Sequence, residues 1–175
     1  ARLSEREIDT FLEHSQARVV VGLVEASPEA ARHLQRLGGQ PRRWPGAGEL
    51  LLAPGHPQAA PEPVSEAAAE QVAALIYTSG TSGAPKGVML THANLLFIAA
   101  NSRRQRRLSN ADRVYGVLPL SHVYGLTAVL LATLSAGASL VLAARFAPEA
   151  MARALADEGI TVLHGVPAMY AKLLE

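Results

Sequence analysis

The segment VAALIYTSGTSGAPKG, residues 72–87, decides the fold class of this 175-residue chain. Its first part, 72–78, is an apolar run that contains β-branched and aromatic residues, as expected of a buried strand. The rest brings hydroxyl groups, three glycines and one lysine into a single loop. A buried strand that leads into such a loop is typical of α/β proteins, in which binding loops follow the carboxyl ends of strands.

This loop lies in the positively charged part of the chain. The formal net charge is only +1, but residues 71–111 contain Lys86 and four arginines and no acidic residue. Glycines allow successive backbone N–H groups to face one anion, hydroxyls add donors, and Lys86 adds a full positive charge. The loop therefore predicts a polyphosphate site. It is not a Walker A loop, because, counted from Gly80, Pro85 takes the place of the second glycine and Gly87 follows Lys86 instead of Ser or Thr.

From this segment onward, strand-like and helix-like stretches alternate. Strands are expected at 72–78, 114–118, 139–143 and 160–166, and helices at 93–107, 124–134 and 148–158. This order predicts an α/β fold with a largely parallel sheet and helices on both faces. The uncharged stretch 126–144 approaches the length of a membrane span, but turn chemistry at 135–139 interrupts it. We therefore expect a buried helix and a buried strand there, and no membrane span.

The first 70 residues are less regular. Ser4 has the spacing of a capping box and predicts a helix start, and Pro28 predicts the first turn of a second helix. The continuous apolar run 19–24 predicts a strand covered on both faces. Residues 40–69 mix Pro, Gly, Ala and Glu, so we expect a loop or linker there, with at most one short strand at 50–52.

Three segments resemble one known family. Residues 77–95, YTSGTSGAPKGVMLTHANL, look like the signature loop of the adenylate-forming superfamily, which includes acyl-CoA synthetases, aryl-CoA ligases, peptide-synthetase adenylation domains and firefly luciferase. Residues 118–126, LPLSHVYGL, are similar to the second core motif of that superfamily, and 165–170, GVPAMY, resemble a third segment near the acyl pocket. The resemblance covers essentially the whole chain. It implies that 1–175 is a partial AMP-binding domain, part of the large N-terminal domain of such an enzyme, without the C-terminal domain.

The resemblance implies a two-step reaction of a small carboxylic acid. The acid attacks the α-phosphorus of ATP and releases pyrophosphate, and the thiol of coenzyme A then displaces AMP. Carried over by position, the phosphate-binding residues are Thr78, Ser79, Gly80, Thr81, Ser82, Gly83 and Lys86. They would stabilise the charge that grows on the departing pyrophosphate. The implied catalytic residues are Lys86 and His122, and the implied acid contacts are His122, Tyr124 and Gly165.

Other parts of the family pattern are missing. Residues 124–127, YGLT, resemble the family motif Tyr-Gly-x-Thr-Glu, but Ala128 replaces the Glu. We therefore expect the Mg²⁺ ligand in the polypeptide beyond Glu175, and we expect the 175 residues to be inactive without it. Detectable ATP–pyrophosphate exchange by these residues alone would contradict that expectation. No histidine pair has metal-site spacing, so no metal site is predicted within the chain.

Tyr124 also bears on the choice of acid. Peptide-synthetase domains that resemble this chain carry an Asp at this position, and Tyr124 would leave an α-ammonium group without its ion pair. This disfavours amino acids and favours a fatty, aryl or dicarboxylic acid. The acceptor is open between coenzyme A and a carrier protein.

A function of a different class would rest on the arginines of 103–107, RRQRR. Four arginines in five residues could contact nucleic-acid phosphates, but no aromatic residues interleave and no nucleic-acid motif accompanies them. A solvated helix end explains the cluster as well, because cations also favour the negative end of a helix dipole. We expect no nucleic-acid partner.

The chain contains no cysteine. This excludes disulfides, thiolate metal ligands and a cysteine nucleophile, so any thiol in the reaction has to come from coenzyme A. It is compatible with a reducing cytoplasm, where we expect the protein. The composition does not bear on assembly, and a homodimer stays open.

Overall fold

The computed structural model describes residues 3–24, 27–46, 48–78 and 85–174. The chain divides into two compact units, Ala1–Pro63 and Val64–Glu175. We refer to them as the first and the second unit and describe each by itself.

The first unit is an antiparallel sheet with a helix against one face. Its elements are α1 (Glu5–Ser15), β1 (Val19–Leu23), α2 (Pro28–Arg36), β2 (Gln40–Trp44) and β3 (Gly48–Pro54). The strand order is β1-β3-β2. Ala31 and Leu34 of α2 pack on Leu51 and Ala53 of β3. The predicted capping box at Ser4 begins α1.

The prediction that β1 is covered on both faces is wrong. Val20 packs against the core of the unit, whereas Val19, Val21 and Leu23 are exposed. The reason is topological, because α2 covers one face of a three-stranded antiparallel sheet and such a sheet needs only one covered face. An uninterrupted apolar run therefore misled the prediction.

The prediction of a loop or linker over 40–69 is wrong for its first half. Residues 40–44 and 48–54 form the paired strands β2 and β3, with Trp44 opposite Gly48. Every residue of β2 is exposed, so the strand carries no apolar pattern that could be read from the sequence. It lies at the edge of the sheet, where proline and charged residues are tolerated.

The second unit combines a hairpin with a parallel sheet. Its elements are β4 (Val72–Thr78), β5 (Lys86–Thr91), α3 (His92–Arg106), β6 (Arg113–Gly116), a π-helix (Gly125–Leu131), α4 (Ala132–Ser135), β7 (Ser139–Leu142), α5 (Pro148–Asp157), β8 (Val162–Leu163) and α6 (Pro167–Leu173). The parallel sheet has the order β7-β6-β8.

Helices cover both faces of the parallel sheet, as predicted. Val114 of β6 packs with Ala99 of α3 and Val129 of the π-helix. The next residue, Tyr115, points the other way and packs with Met151 of α5 and Met169 of α6. Alternate residues of one strand thus bury two helical layers, which makes this part an α/β fold.

Strand β4 departs from the predicted parallel sheet. It pairs antiparallel with β5, with Tyr77 opposite Gly87 and Thr78 opposite Lys86. The segment after the polar loop therefore runs back along β4 as a strand, whereas the sequence suggested that a helix alone followed the loop. That helix, α3, begins one strand later with a capping box at Thr91.

The uncharged stretch 126–144 forms most of the π-helix, then α4 and β7, which agrees with the predicted helix and strand. Thr127 and Thr133 are buried, and each donates its hydroxyl hydrogen to a backbone carbonyl four residues earlier. Across the part of the chain that the structure describes, no helix is both long and apolar enough to cross a membrane.

Candidate active site

The predicted phosphate loop is closed at its base by the β4–β5 ladder. Thr78 and Lys86 are exposed and stand opposite each other as the last pair of that ladder. Lys86 has no acidic partner among the residues described. The other predicted phosphate ligands, Ser79, Gly80, Thr81, Ser82 and Gly83, lie outside the described residues. The structure thus holds the two ends of the loop together and leaves the charge of Lys86 available to an anion.

A cavity of about 840 Å³ lies at the carboxyl ends of the parallel strands. Its walls come from 117–125, which follows β6, from 144–146, which follows β7, and from 165–169, which follows β8. The lining is mostly apolar, with Leu118, Phe146 and Met169 among its members. Ligands of open α/β sheets bind at this end of the strands, so this cavity is the candidate ligand site.

The three predicted acid contacts all line this cavity. They are His122, Tyr124 and Gly165, and 43 positions separate the first from the last. The backbone N–H of Tyr124 donates to Nδ1 of His122 over 3.2 Å, which leaves the proton of a neutral imidazole on Nε2. The structure therefore brings the second and third sequence motifs together in one site. The catalytic role of His122 stays a prediction.

Two glycines keep the walls of the cavity close to neighbouring groups. A Cβ at Gly125 would lie 2.1 Å from the carbonyl oxygen of Pro119. A Cβ at Gly165 would lie 2.9 Å from the ring of Tyr170, whose hydroxyl donates to the carbonyl oxygen of Leu163. At Gly125 the obstacle is backbone, so no side chain fits there, whereas a side chain at Gly165 would have to displace the exposed Tyr170 ring.

Sequence reasoning missed two residues behind Tyr124. The guanidinium of Arg106 donates to the Tyr124 hydroxyl over 3.0 Å, and Nδ1 of His164 lies 3.4 Å from the same oxygen. His164 is only 3% exposed, and burial, with the nearby charge of Arg106, lowers its pKa to about 4. The signal that could have revealed it is a lone polar residue at the end of an apolar strand, directly before the glycine of the third motif.

Arg145 was also missed, although it lines the cavity. Its side chain is exposed and has no ion pair among the residues described. The sequence carried a signal, because Arg145 is the single formal charge between Arg113 and Glu149. A cation in an otherwise apolar wall can bind an anionic group of a ligand.

The arginine cluster of α3 is partly used within the protein. Arg103 donates to the carbonyl oxygen of Ser135 over 2.9 Å, Arg104 donates to the side chain of Asn101, and Arg106 holds Tyr124. Three of the four guanidiniums therefore have internal partners, which agrees with a structural explanation of the cluster. Within the described ranges, no group of three or more His, Asp or Glu side chains could hold a metal ion.

A polar hairpin with an exposed lysine and an apolar cavity at the ends of a parallel sheet are both features of nucleotide-dependent α/β enzymes. Comparison with protein families shows which one. The family described as "AMP-binding enzyme" matches residues 1–175, and the chain belongs to this family. Its fold is accordingly part of the N-terminal domain of an adenylate-forming enzyme.

Named relatives agree with this assignment. The chain is 36% identical to a feruloyl-CoA synthase of Amycolatopsis sp, with 97% of the chain and 33% of that protein covered. It is 35% identical to a 2-succinylbenzoate–CoA ligase of Bacillus licheniformis (98% and 34%) and 33% identical to the mitochondrial malonate–CoA ligase of Mus musculus (98% and 30%). The chain thus spans about a third of the length of these relatives.

A solved structure shows the same similarity. ATP-bound MatB from Rhodopseudomonas palustris superposes with a TM-score of 0.74 at 26% identity, with 99% of the chain and 34% of MatB covered.

Proposed function

We propose that this chain is the phosphate-binding and acid-binding part of an AMP-forming acid–CoA ligase. A carboxylate oxygen attacks the α-phosphorus of ATP, the bond to the β-phosphate oxygen breaks, and pyrophosphate leaves. The thiol of coenzyme A then loses its proton to water, its sulfur attacks the acyl carbon, and AMP leaves with the electrons of the broken C–O bond. The observation that carries the proposal is the convergence of His122, Tyr124 and Gly165, which belong to two separate motifs, on one cavity.

In this proposal the hairpin acts by charge and position. Lys86 and Thr78, paired at its base, hold the departing phosphates together with Ser79, Gly80, Thr81, Ser82 and Gly83. Fixed donors stabilise a leaving group whose negative charge grows in the transition state. Mg²⁺ neutralises phosphate charge when it is bound. We assign its protein ligand to polypeptide outside the 175 residues.

The lining of the cavity favours some of the fatty, aryl and dicarboxylic acids that the sequence left open. Its apolar walls fit an acyl or aryl body, and Arg145 adds one cation. A second anionic group on the acid would pair with that guanidinium, whereas a plain fatty acid would leave it unpaired. We therefore propose a dicarboxylic acid, or an aryl acid with a distal anionic group, with coenzyme A as the acceptor.

We also propose a cytoplasmic location and no nucleic-acid partner. The lack of cysteine supports a cytoplasmic location, and the internal partners of the α3 arginines support the absence of a nucleic-acid partner. A homodimer stays a prediction, and sedimentation of the complete polypeptide tests it.

The test is acid-dependent ATP–pyrophosphate exchange by the complete polypeptide, with malonate, 2-succinylbenzoate, ferulate and octanoate as substrates. Lys86→Ala should depress the exchange, and Lys172→Ala is the matched control, because Lys172 is the other lysine of the chain and lies in α6. Exchange without any acid, or equal exchange in both variants, would refute the proposal. Thioester formation with coenzyme A, compared with a phosphopantetheinyl carrier protein, decides the acceptor.

A further inference from the structure

The hydroxyl of Tyr124 is held by residues from two other elements. Arg106, at the end of α3, donates to it over 3.0 Å, and Nδ1 of His164, which follows β8, lies 3.4 Å away. The rings of Tyr124 and His164 meet edge to face, with centroids 6.1 Å apart and an interplanar angle of 66°. Tyr124 lines the cavity, but Arg106 and His164 do not. The two groups that hold the hydroxyl thus belong to residues outside the cavity lining.

Donor and acceptor roles in this cluster follow from chemistry. A guanidinium can only donate, so the Tyr124 oxygen accepts from Arg106 and its own hydrogen is free for Nδ1 of His164. If the Tyr124 hydroxyl donates to Nδ1, that atom is the bare nitrogen of a neutral imidazole, and the ring hydrogen sits on Nε2. That atom is buried and has no hydrogen-bond partner among the described residues. An unpaired buried N–H is costly, so the arrangement persists only if other contacts compensate for it.

Arg106 is itself fixed from the buried side. Its second terminal nitrogen donates to Oγ of Ser102 over 2.9 Å, and that hydroxyl donates to the carbonyl oxygen of Ala128 over 3.1 Å. Ser102 is 4% exposed, and Ala128 belongs to the π-helix that begins directly after Tyr124. The bonds thus form a closed path from the π-helix through α3 to Tyr124, which leaves little freedom to the phenol.

We propose that Arg106 and His164 are positioning residues for Tyr124, and that the fixed phenol is the wall of the cavity that determines which acids fit. The inference rests on the proposed function, in which the cavity holds the acid. Without the two bonds, the Tyr124 ring can rotate about its side-chain torsions, and the width of the cavity varies. A fixed wall excludes bulky acids, and a moving wall admits them.

The kinetic test uses the complete polypeptide with a narrow and a bulky acid, malonate and 2-succinylbenzoate. Tyr124→Phe removes only the hydroxyl, and His164→Phe keeps a ring of similar size. Both substitutions break the partly buried bond between the Tyr124 hydroxyl and His164, so each should change the ratio of the two kcat/KM values by about 10-fold, with the KM for ATP unchanged. The double variant should change the ratio no further, because both substitutions break the same link.

Two controls separate positioning from general damage. Arg104→Ala removes a neighbouring guanidinium that bonds to Asn101 and should leave the ratio unchanged. Arg106→Lys keeps one donor and should restore part of the ratio that Arg106→Ala loses. If the enzyme is active and the ratio of the two kcat/KM values is the same in all of these variants, the positioning role is overturned and the proposed function is not. A polypeptide that activates no acid overturns the proposed function and, with it, this inference.

A second readout does not depend on activity. Nitrogen-15 spectra of the histidine rings should show His164 as the neutral tautomer with hydrogen on Nε2, and Tyr124→Phe should shift its Nδ1 resonance. An Nδ1 resonance that Tyr124→Phe leaves in place would overturn the hydrogen-bonded link.

Discussion

The β4–β5 hairpin and the cavity wall around Tyr124 encode their sites in opposite ways. In the hairpin, all the proposed phosphate ligands lie between 78 and 86, so one contiguous segment of sequence contains the whole site. The cavity is built from 117–125, 144–146 and 165–169, with support from Arg106 behind it. A site made of neighbouring residues shows its chemistry in the sequence, whereas a site made by folding shows only fragments of it.

The largest expected effect separates the two regions by their kinetics. In the complete polypeptide, Lys86→Ala should lower the adenylation rate about 100-fold, because a fixed charge next to a departing phosphate is lost, and should leave the ranking of acids intact. Tyr124→Ala should reorder the acids and leave the KM for ATP unchanged. Steady-state kinetics with several acids measures both. If Lys86→Ala reordered the acids as Tyr124→Ala does, the two regions would not be functionally distinct.

The next effect tests how tightly the cavity wall is built. Gly125→Ala should lower the free energy of unfolding by about 3 kcal/mol, because the new Cβ would lie 2.1 Å from the Pro119 oxygen. Gly137→Ala is the control, with a φ of +70° and its nearest neighbour 3.5 Å away, and should cost only about 1 kcal/mol. Urea denaturation compares the two. Equal losses would mean that the backbone at 119 and 125 separates without cost.

A smaller effect concerns pH and the support behind the wall. The pKa of His164 is lowered from 6.5 to about 4, first by burial and then by Arg106, and Tyr124 is the other titratable group in contact with it. As the pH falls below about 6.5, His164 therefore becomes protonated in the unfolded chain while it stays neutral in the folded chain. The free energy of unfolding is therefore highest above the pKa that His164 has in the unfolded chain. It should fall by about 2 kcal/mol between about pH 7.5 and about pH 5. Denaturant titrations at several pH values measure this slope.

His164→Phe serves as the control for that slope. It removes the titrating ring nitrogen and should flatten the pH dependence by the same amount. A slope that is identical in both proteins would assign the acid sensitivity to other groups.

The smallest effect returns to the hairpin. The hydroxyl of Thr91, the last residue of β5, accepts from the backbone N–H of Asn94 and caps α3. Thr91→Ala should cost about 1 kcal/mol of stability, and Thr91→Ser should retain most of it. Thermal unfolding of both variants checks this, and the acid ranking should not change in either. A change in ranking would show that the hairpin end of α3 communicates with Arg106 at its other end.

Sequence reasoning was most successful where structure is local. The capping box at Ser4, the helix that starts at Pro28 and the strands predicted at 114–118, 139–143 and 160–166 follow from spacing and apolar runs. The structure has an element at each place, although the last strand is limited to Val162–Leu163. The membership of His122, Tyr124 and Gly165 in one site came from the family resemblance. The structure brings these three residues to one cavity, while their roles in catalysis and binding stay predictions.

The features that the sequence did not predict depend on contacts between residues far apart in the chain. Strand β2 is exposed along its whole length, so no apolar period marks it. The direction of β4 depends on its pairing with β5, which the composition of either strand does not specify. Arg106 looked like one more cation in a basic cluster, and only the approach of the π-helix and β8 shows that it holds Tyr124.

The exposed face of β1 matters for handling the protein at high concentration. Its sequence from 19 to 24, VVVGLV, is short, β-branched and uncharged, and within the described residues β1 pairs on one side only, with β3. The unpaired backbone N–H and C=O groups of such an edge strand can pair with β1 of a second molecule, which leads to aggregates and gels. Val21→Lys would place a charge in the middle of this face, far in sequence from the hairpin and the cavity. We expect it to keep the isolated 175 residues dispersed at concentrations where the unmodified chain precipitates, as light scattering would show.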